Sequence, residues 1–144
     1  MDTLNPYRTV DTLGKSQLDL ILQVYDGAIA AFRSAAQAYQ AQEYQQGYEQ
    51  LQKAKRFVTH LYTTLDAEAG GEIAAKLAML YAYIINRTIQ AESTKDLSAI
   101  DDNITVLDNV RRGWLTLKQQ DAQAGAVSQP ASGYGANQRF TTSA

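Results

Sequence analysis

The sequence predicts an all-α fold: an antiparallel four-helix bundle with an N-terminal arm and a disordered C-terminal tail. Three observations carry that reading. Four stretches repeat apolar residues at intervals of three and four, the period of one helix face. The connections between them are short, so consecutive helices must reverse direction and no long crossover fits. No run alternates β-branched and polar residues between turn signals, which argues against a sheet. The 144 residues are enough for one domain with one modest core.

Residues 1–15 form the arm, or a short cap helix. Leu4, Tyr7, Val10 and Leu13 recur three apart, Pro6 biases Asn5 toward extended backbone, and Gly14 interrupts the pattern. The bundle covers residues 16–121. Ser16 is placed as the N-cap of the first helix, with Asp19 three residues on. That helix is expected over about Gln17–Gln40, with Leu18, Ile21, Leu22, Tyr25, Ile29, Phe32, Ala36 and Tyr39 on one face. A second line beside it (Leu20, Val24, Ala28, Ala31, Ala35) is mostly small and lets another backbone come close.

The second helix is expected over about Gln45–Leu65, on a stripe of Tyr48, Leu51, Ala54, Val58, Leu61, Tyr62 and Leu65. Gly70-Gly71 reads as a stop and turn. The third helix is expected over Glu72–Ala91, with Ile73, Leu77, Leu80, Tyr81, Ile84 and Thr88 on one face and Ile85 and Ile89 widening it. An apolar arc this wide means a central helix or an outward face meant to be covered. Residues 92–95 connect, Asp96 caps, and the fourth helix runs to about Gln120 through Leu97, Ile100, Ile104, Leu107, Val110, Trp114 and Leu117. Residues 122–144 are rich in small polar residues without periodicity and read as a disordered tail.

Two glycines stand inside these helices, Gly27 and Gly113. An interior glycine costs a helix about 1 kcal/mol relative to alanine, so each is expected to make room for something. At Gly27 something is expected to sit close, or to need the acid of the adjacent Asp26, and at Gly113 the visitor is a bulky residue of a facing helix.

Composition excludes much chemistry. There are 13 basic and 15 acidic residues, a net charge of −2, with no density of cations that would mark a nucleic-acid surface. Without cysteine there is no disulfide or thiolate site. The one histidine, His60, lacks companion ligands, so no metal or cofactor is expected. Asp101, Asp102 and Asp108 read as a solvated helix face rather than a catalytic pair, and no enzyme is expected. Met1–Pro6 lacks the basic flank and apolar run of a signal peptide, and no stretch approaches the ~20 apolar residues of a membrane span. The expected location is therefore the cytoplasm. What remains is surplus apolar surface and nine tyrosines against three phenylalanines and one tryptophan. This balance suits either a protein-binding surface or a polar-edged core. The residues thus leave a helix-in-groove binding module beside a homodimeric or adaptor bundle with another partner.

Several stretches then resemble one family, in order. Val24-Tyr25-Asp26-Gly27-Ala28-Ile29 resembles the LYDGAI signature of FliS, the flagellar secretion chaperone. Asn5-Pro6-Tyr7 is similar to its N-terminal segment, and Leu65-Asp66 with Gly70-Gly71-Glu72-Ile73-Ala74 to its glycine turn. Leu80-Tyr81-Ala82-Tyr83-Ile84 with Arg87 resembles its LYxYxxxR stretch, and Trp114 a late tryptophan. Departures are Gly14-Lys15-Ser16-Gln17 where the family often has Ser-Pro and an acidic residue, Gln23-Val24-Tyr25 where it often has Met-Leu-Tyr or Leu-Leu-Tyr, and Asn86-Arg87 in place of a doubled arginine.

The resemblance implies a cytoplasmic helical bundle without enzymatic activity. Such a protein binds the disordered C-terminal segment of flagellin, prevents premature polymerisation and presents it to the export gate of the flagellar type III secretion apparatus. On this sequence it implies client contacts at Tyr25, Asp26, Gly27, Leu80, Tyr81, Tyr83 and Arg87, supported from the core by Ile21 and Ile84. Tyr7 and Val10 would belong to an arm covering the groove in the free protein. The free protein would be a monomer or a weak homodimer, with no nucleic-acid partner and no membrane insertion.

Overall fold

A computed structural model describes Tyr7 and residues 17–128, with side chains described as far as residue 120. The chain is an all-α bundle of four helices: α1 (Gln17–Gln40), α2 (Tyr44–Thr63), α3 (Ala67–Thr94) and α4 (Leu97–Ser128). It divides into two compact units, Met1–Arg111 and Arg112–Ala144.

In the first unit α1 lies against α2 and α2 against α3. The direction is legible in the pairs that meet. Gly27 faces Phe57 and Tyr39 faces Gly47, so α1 and α2 are antiparallel. At the far end of α3, Glu92 accepts from both Lys55 Nζ and Gln52 Nε2 on α2, each at 2.6 Å. The core holds the stripe that periodicity marks on α1, apart from the half-buried Ala36, with Leu51, Ala54, Val58 and Leu61 of α2, Tyr81 and Ile84 of α3, and Ile100 and Leu107 of α4. One buried polar group joins α3 to α4: Asn103 Nδ2 donates to Thr88 Oγ1 at 3.2 Å, and the Thr88 hydroxyl donates to the Ile84 carbonyl at 2.7 Å.

The turns explain where helices end. After α1, Gln42 takes the left-handed conformation (φ 62°). The Glu43 amide reaches back to the Ala38 carbonyl at 2.8 Å and the Gln42 amide to that of Tyr39 at 3.0 Å. This is the paired closure of a Schellman motif, made without glycine. Asp66 caps α3, its carboxylate accepting from the Ala69 amide at 3.1 Å. The first turn of α3 breaks at Gly71 (φ 53°, ψ −127°), a backbone that favours glycine, so the glycine pair marks a kink with a helical turn on each side. Lys95, also left-handed (φ 59°), closes α3. Asp96 starts α4 by accepting from the Ser98 amide and hydroxyl, both at 2.9 Å, and these bonds hold its carboxyl below the usual range.

Several expectations need correction. Tyr48 and Tyr62, placed on the core stripe of α2, are exposed (45% and 42%), and so is Ile73 of α3. Periodicity selects a face, but not which turns along it meet a partner. The connection expected at residues 92–95 is mostly helix, since α3 runs to Thr94. Gly113, expected to admit a bulky neighbour, has none among the described residues within 4 Å of where a side chain would start. In the second unit Trp114 is buried, and α4 continues to Ser128, into the stretch expected to be tail. The proposed Ser16 cap, Val10, the rest of the arm apart from Tyr7, and residues 129–144 lie outside the described residues.

Candidate functional site

Three tyrosines from three segments meet in one place. Tyr25 is carried on the buried face of α1 by the three-and-four spacing that also buries Ile21, Leu22 and Ile29. Tyr81 stands on α3 one turn before Ile84. The two rings pack edge to face with centroids 6.4 Å apart, and their hydroxyls are hydrogen bonded. Tyr7 completes the group: its hydroxyl lies 2.7 Å from that of Tyr81, and its backbone forms an isolated antiparallel bridge with Leu65 in the connection from α2 to α3. Tyr25 and Tyr81 are fully buried and Tyr7 is 3% exposed. Burial is the largest influence on both the Tyr7 and Tyr81 phenols and pushes them well above the ordinary range, so both stay protonated at neutral pH.

Around this seat the described residues leave apolar surface uncovered. A cavity of about 420 Å³ runs between α2 and α3 beside Leu65, floored by small residues including Ala74 and Ala78. A second, of about 590 Å³, lies along the same helices, with Ile85 and Ile89 on its α3 side and polar residues of α2, Lys55, Arg56 and His60 among them, on the other. Ile73, Met79, Tyr83 and Ile89 are all exposed, Met79 most of all at 73%. Of the two readings of α3's wide arc, the outward face is the one observed.

The remaining residues implied by the resemblance fall as follows. Leu80 is half-buried, and Tyr83 is exposed with the Arg87 guanidinium 5.7 Å above its ring. Arg87 also pairs with Asp102 of α4 at 3.0 Å. Asp26 is exposed and pairs with Arg111 of α4 at 2.6 Å. The space above Gly27 is filled by Phe57: a Cβ there would stand 2.6 Å from the ring's Cζ. Ile21 and Ile84 are buried. The structure thus brings Tyr7, Tyr25 and Tyr81 together, while Asp26 and Tyr83 lie on the outside and Arg87 is half-buried.

Sequence reasoning missed Leu65 as the partner of the arm, Phe57 against Gly27, and the second glycine contact, Gly47 against the buried ring of Tyr39. Asn103 was findable, since it falls between Ile100 and Leu107 on the buried spacing of α4.

Fold and site define a class: a small helical bundle with exposed apolar surface and an N-terminal residue held against its side. Among the described residues there is no cluster of side chains that could hold a metal, and no helix long and apolar enough to cross a membrane. The family model described as flagellar protein FliS matches residues 1–121. The chain is 34% identical over 103 residues to the flagellar secretion chaperone FliS of Salmonella typhimurium, covering 71% of this chain and 76% of that one. It is 32% identical over 113 residues to the flagellar secretion chaperone FliSB of Pseudomonas aeruginosa (76% and 79%), and 28% identical over 115 residues to FliS of Bacillus subtilis (76% and 84%). The chain belongs to the FliS family of flagellar export chaperones and, as a member, is not an enzyme.

Proposed function

We propose that the protein works in the cytoplasm on the C-terminal segment of flagellin, holds it from polymerising, and delivers it to the flagellar type III export gate. One observation carries this reading. Tyr7 is buried against Tyr81 and bridged to Leu65, at the end of an apolar α2–α3 surface that the other described residues leave open. A disordered client loses conformational entropy when it binds, so it needs extended apolar contact to offset the loss. The cavity beside Leu65 offers such contact, and Ile85 and Ile89 extend it along α3, opposite the polar residues of α2. Left open, such a surface promotes self-association, which gives the arm, Tyr7 and Val10 included, the purpose of covering it in the free protein.

In this reading Tyr25 and Tyr81 form a seat used in turn by arm and client, with Leu80 beside it. Tyr83, Arg87 and Asp26 form a polar edge, and Gly27 contributes indirectly by seating Phe57. Calorimetric titration with a flagellin C-terminal peptide tests it. Equimolar binding with a negative heat-capacity change is expected, and no association at high micromolar concentration sinks the proposal.

A further inference from the structure

Tyr7 occupies its seat in a way that specifies more than shape. A backbone bridge to Leu65 fixes the approach, and burial of the ring fills the space. The hydroxyl lands on the Tyr81 hydroxyl, which the Tyr25 hydroxyl also meets. The seat therefore shields the ring from solvent and meets its hydroxyl with a polar floor. A purely aliphatic side chain placed there would set hydrocarbon against a buried hydroxyl and take away one of its partners, an asymmetry that penalises the wrong occupant more than it rewards the right one.

We propose that the Tyr25–Tyr81 seat is a side-chain recognition site, selecting an apolar body that ends in a hydroxyl or carboxamide. Tyr7 is its occupant in the free protein. In the complex, the client supplies a residue of the same chemistry in its place. This rests on the reading that client and arm share the surface, and it adds a requirement that apolar contact alone does not impose.

The test uses the full chain with Tyr7→Ala, which empties the seat, and two small probes: p-cresol, the tyrosine side chain, and toluene, the phenylalanine side chain. NMR titration is expected to show p-cresol binding about tenfold more tightly than toluene. Adding Tyr81→Phe should erase that preference. A flagellin C-terminal peptide should displace p-cresol. Equal affinity for the two probes, or a preference that survives Tyr81→Phe, overturns the recognition site. A peptide that binds without displacing p-cresol overturns its use by the client and leaves the chaperone reading standing, whereas a peptide that does not bind at all removes both. Should Tyr7→Ala not fold, Tyr7→Phe keeps the ring and removes only the hydroxyl. Hydrogen exchange at the Tyr7 amide should then quicken about tenfold relative to the native chain, and unchanged exchange overturns the proposal.

Discussion

Gly27 of α1 and Phe57 of α2 touch where no side chain could stand between them: a Cβ on Gly27 would come within 2.6 Å of the phenyl Cζ. Gly47 and Tyr39 repeat the relationship further along the same helix pair, at 2.5 Å to Cε1. The two differ in what can yield. Phe57 is half-buried and its ring can swing outward, whereas Tyr39 is 5% exposed. Alanine gains roughly 1 kcal/mol of helix propensity over glycine, and overpacking a filled site costs about 1–3 kcal/mol. Gly47→Ala should therefore destabilise clearly, and Gly27→Ala should cost less than about 1 kcal/mol. Urea denaturation of both variants checks the order, and Phe57→Leu should restore what Gly27→Ala loses. Equal losses in the two variants would contradict the packing account.

The Asp26–Arg111 pair separates stability from binding. At 2.6 Å it is close, but the Asp26 side chain is 56% exposed, and such pairs contribute about 0–1 kcal/mol. Asp26→Asn should barely shift the thermal midpoint, and any shift should shrink in high salt. If the same variant weakens client binding, Asp26 acts at the surface rather than through the fold. Unchanged affinity would remove it from the binding edge.

The Asn103–Thr88 contact predicts an ordering among substitutions. The Thr88 hydroxyl donates to the Ile84 carbonyl and keeps that bond without Asn103. Asn103→Leu fills the space and orphans no buried donor, so it should cost about 1 kcal/mol or less. Asn103→Ala leaves a cavity and should cost about 2 kcal/mol. Chemical denaturation decides, and an alanine variant as stable as the leucine variant would contradict the packing argument.

Alkaline pH should loosen the tyrosine seat. The folded phenols of Tyr7 and Tyr81 are raised above the ordinary value of 10.0, mainly by burial. The sign follows directly. Below pH 10 both states keep their protons and the contribution is fully present. As pH climbs past 10 the unfolded phenols ionise while the folded ones do not, so stability falls and goes on falling toward the folded values. Tyr81→Phe should flatten this alkaline limb in denaturation measured between pH 8 and pH 11.5, a window of about the width that linkage calls for. An unchanged limb would mean that Tyr81 titrates normally.

How much of this was legible in the sequence depends on the range of the contact. The span of α1 follows from local spacing and matches residue for residue. Periodicity also exposed the surplus on α3, because an apolar arc wider than one partner can cover shows in the helix alone. It misplaced Tyr48 and Tyr62, because which turns of a stripe are covered depends on neighbours far along the chain. The Schellman closure at Gln42 was hidden because its usual glycine is absent. Gly27 and Gly113 looked alike in sequence, yet one meets Phe57 and the other meets none of the described residues. Tyr7 with Tyr81 could be linked only through the family resemblance, since no local rule joins residues so far apart.

The most direct test of the central claim is calorimetric binding of the full chain to flagellin with and without its C-terminal segment, repeated with the Tyr81→Phe variant. The account predicts binding that requires the segment and weakens about tenfold with Tyr81→Phe. Binding that survives loss of the segment, or its absence with intact flagellin, would contradict it.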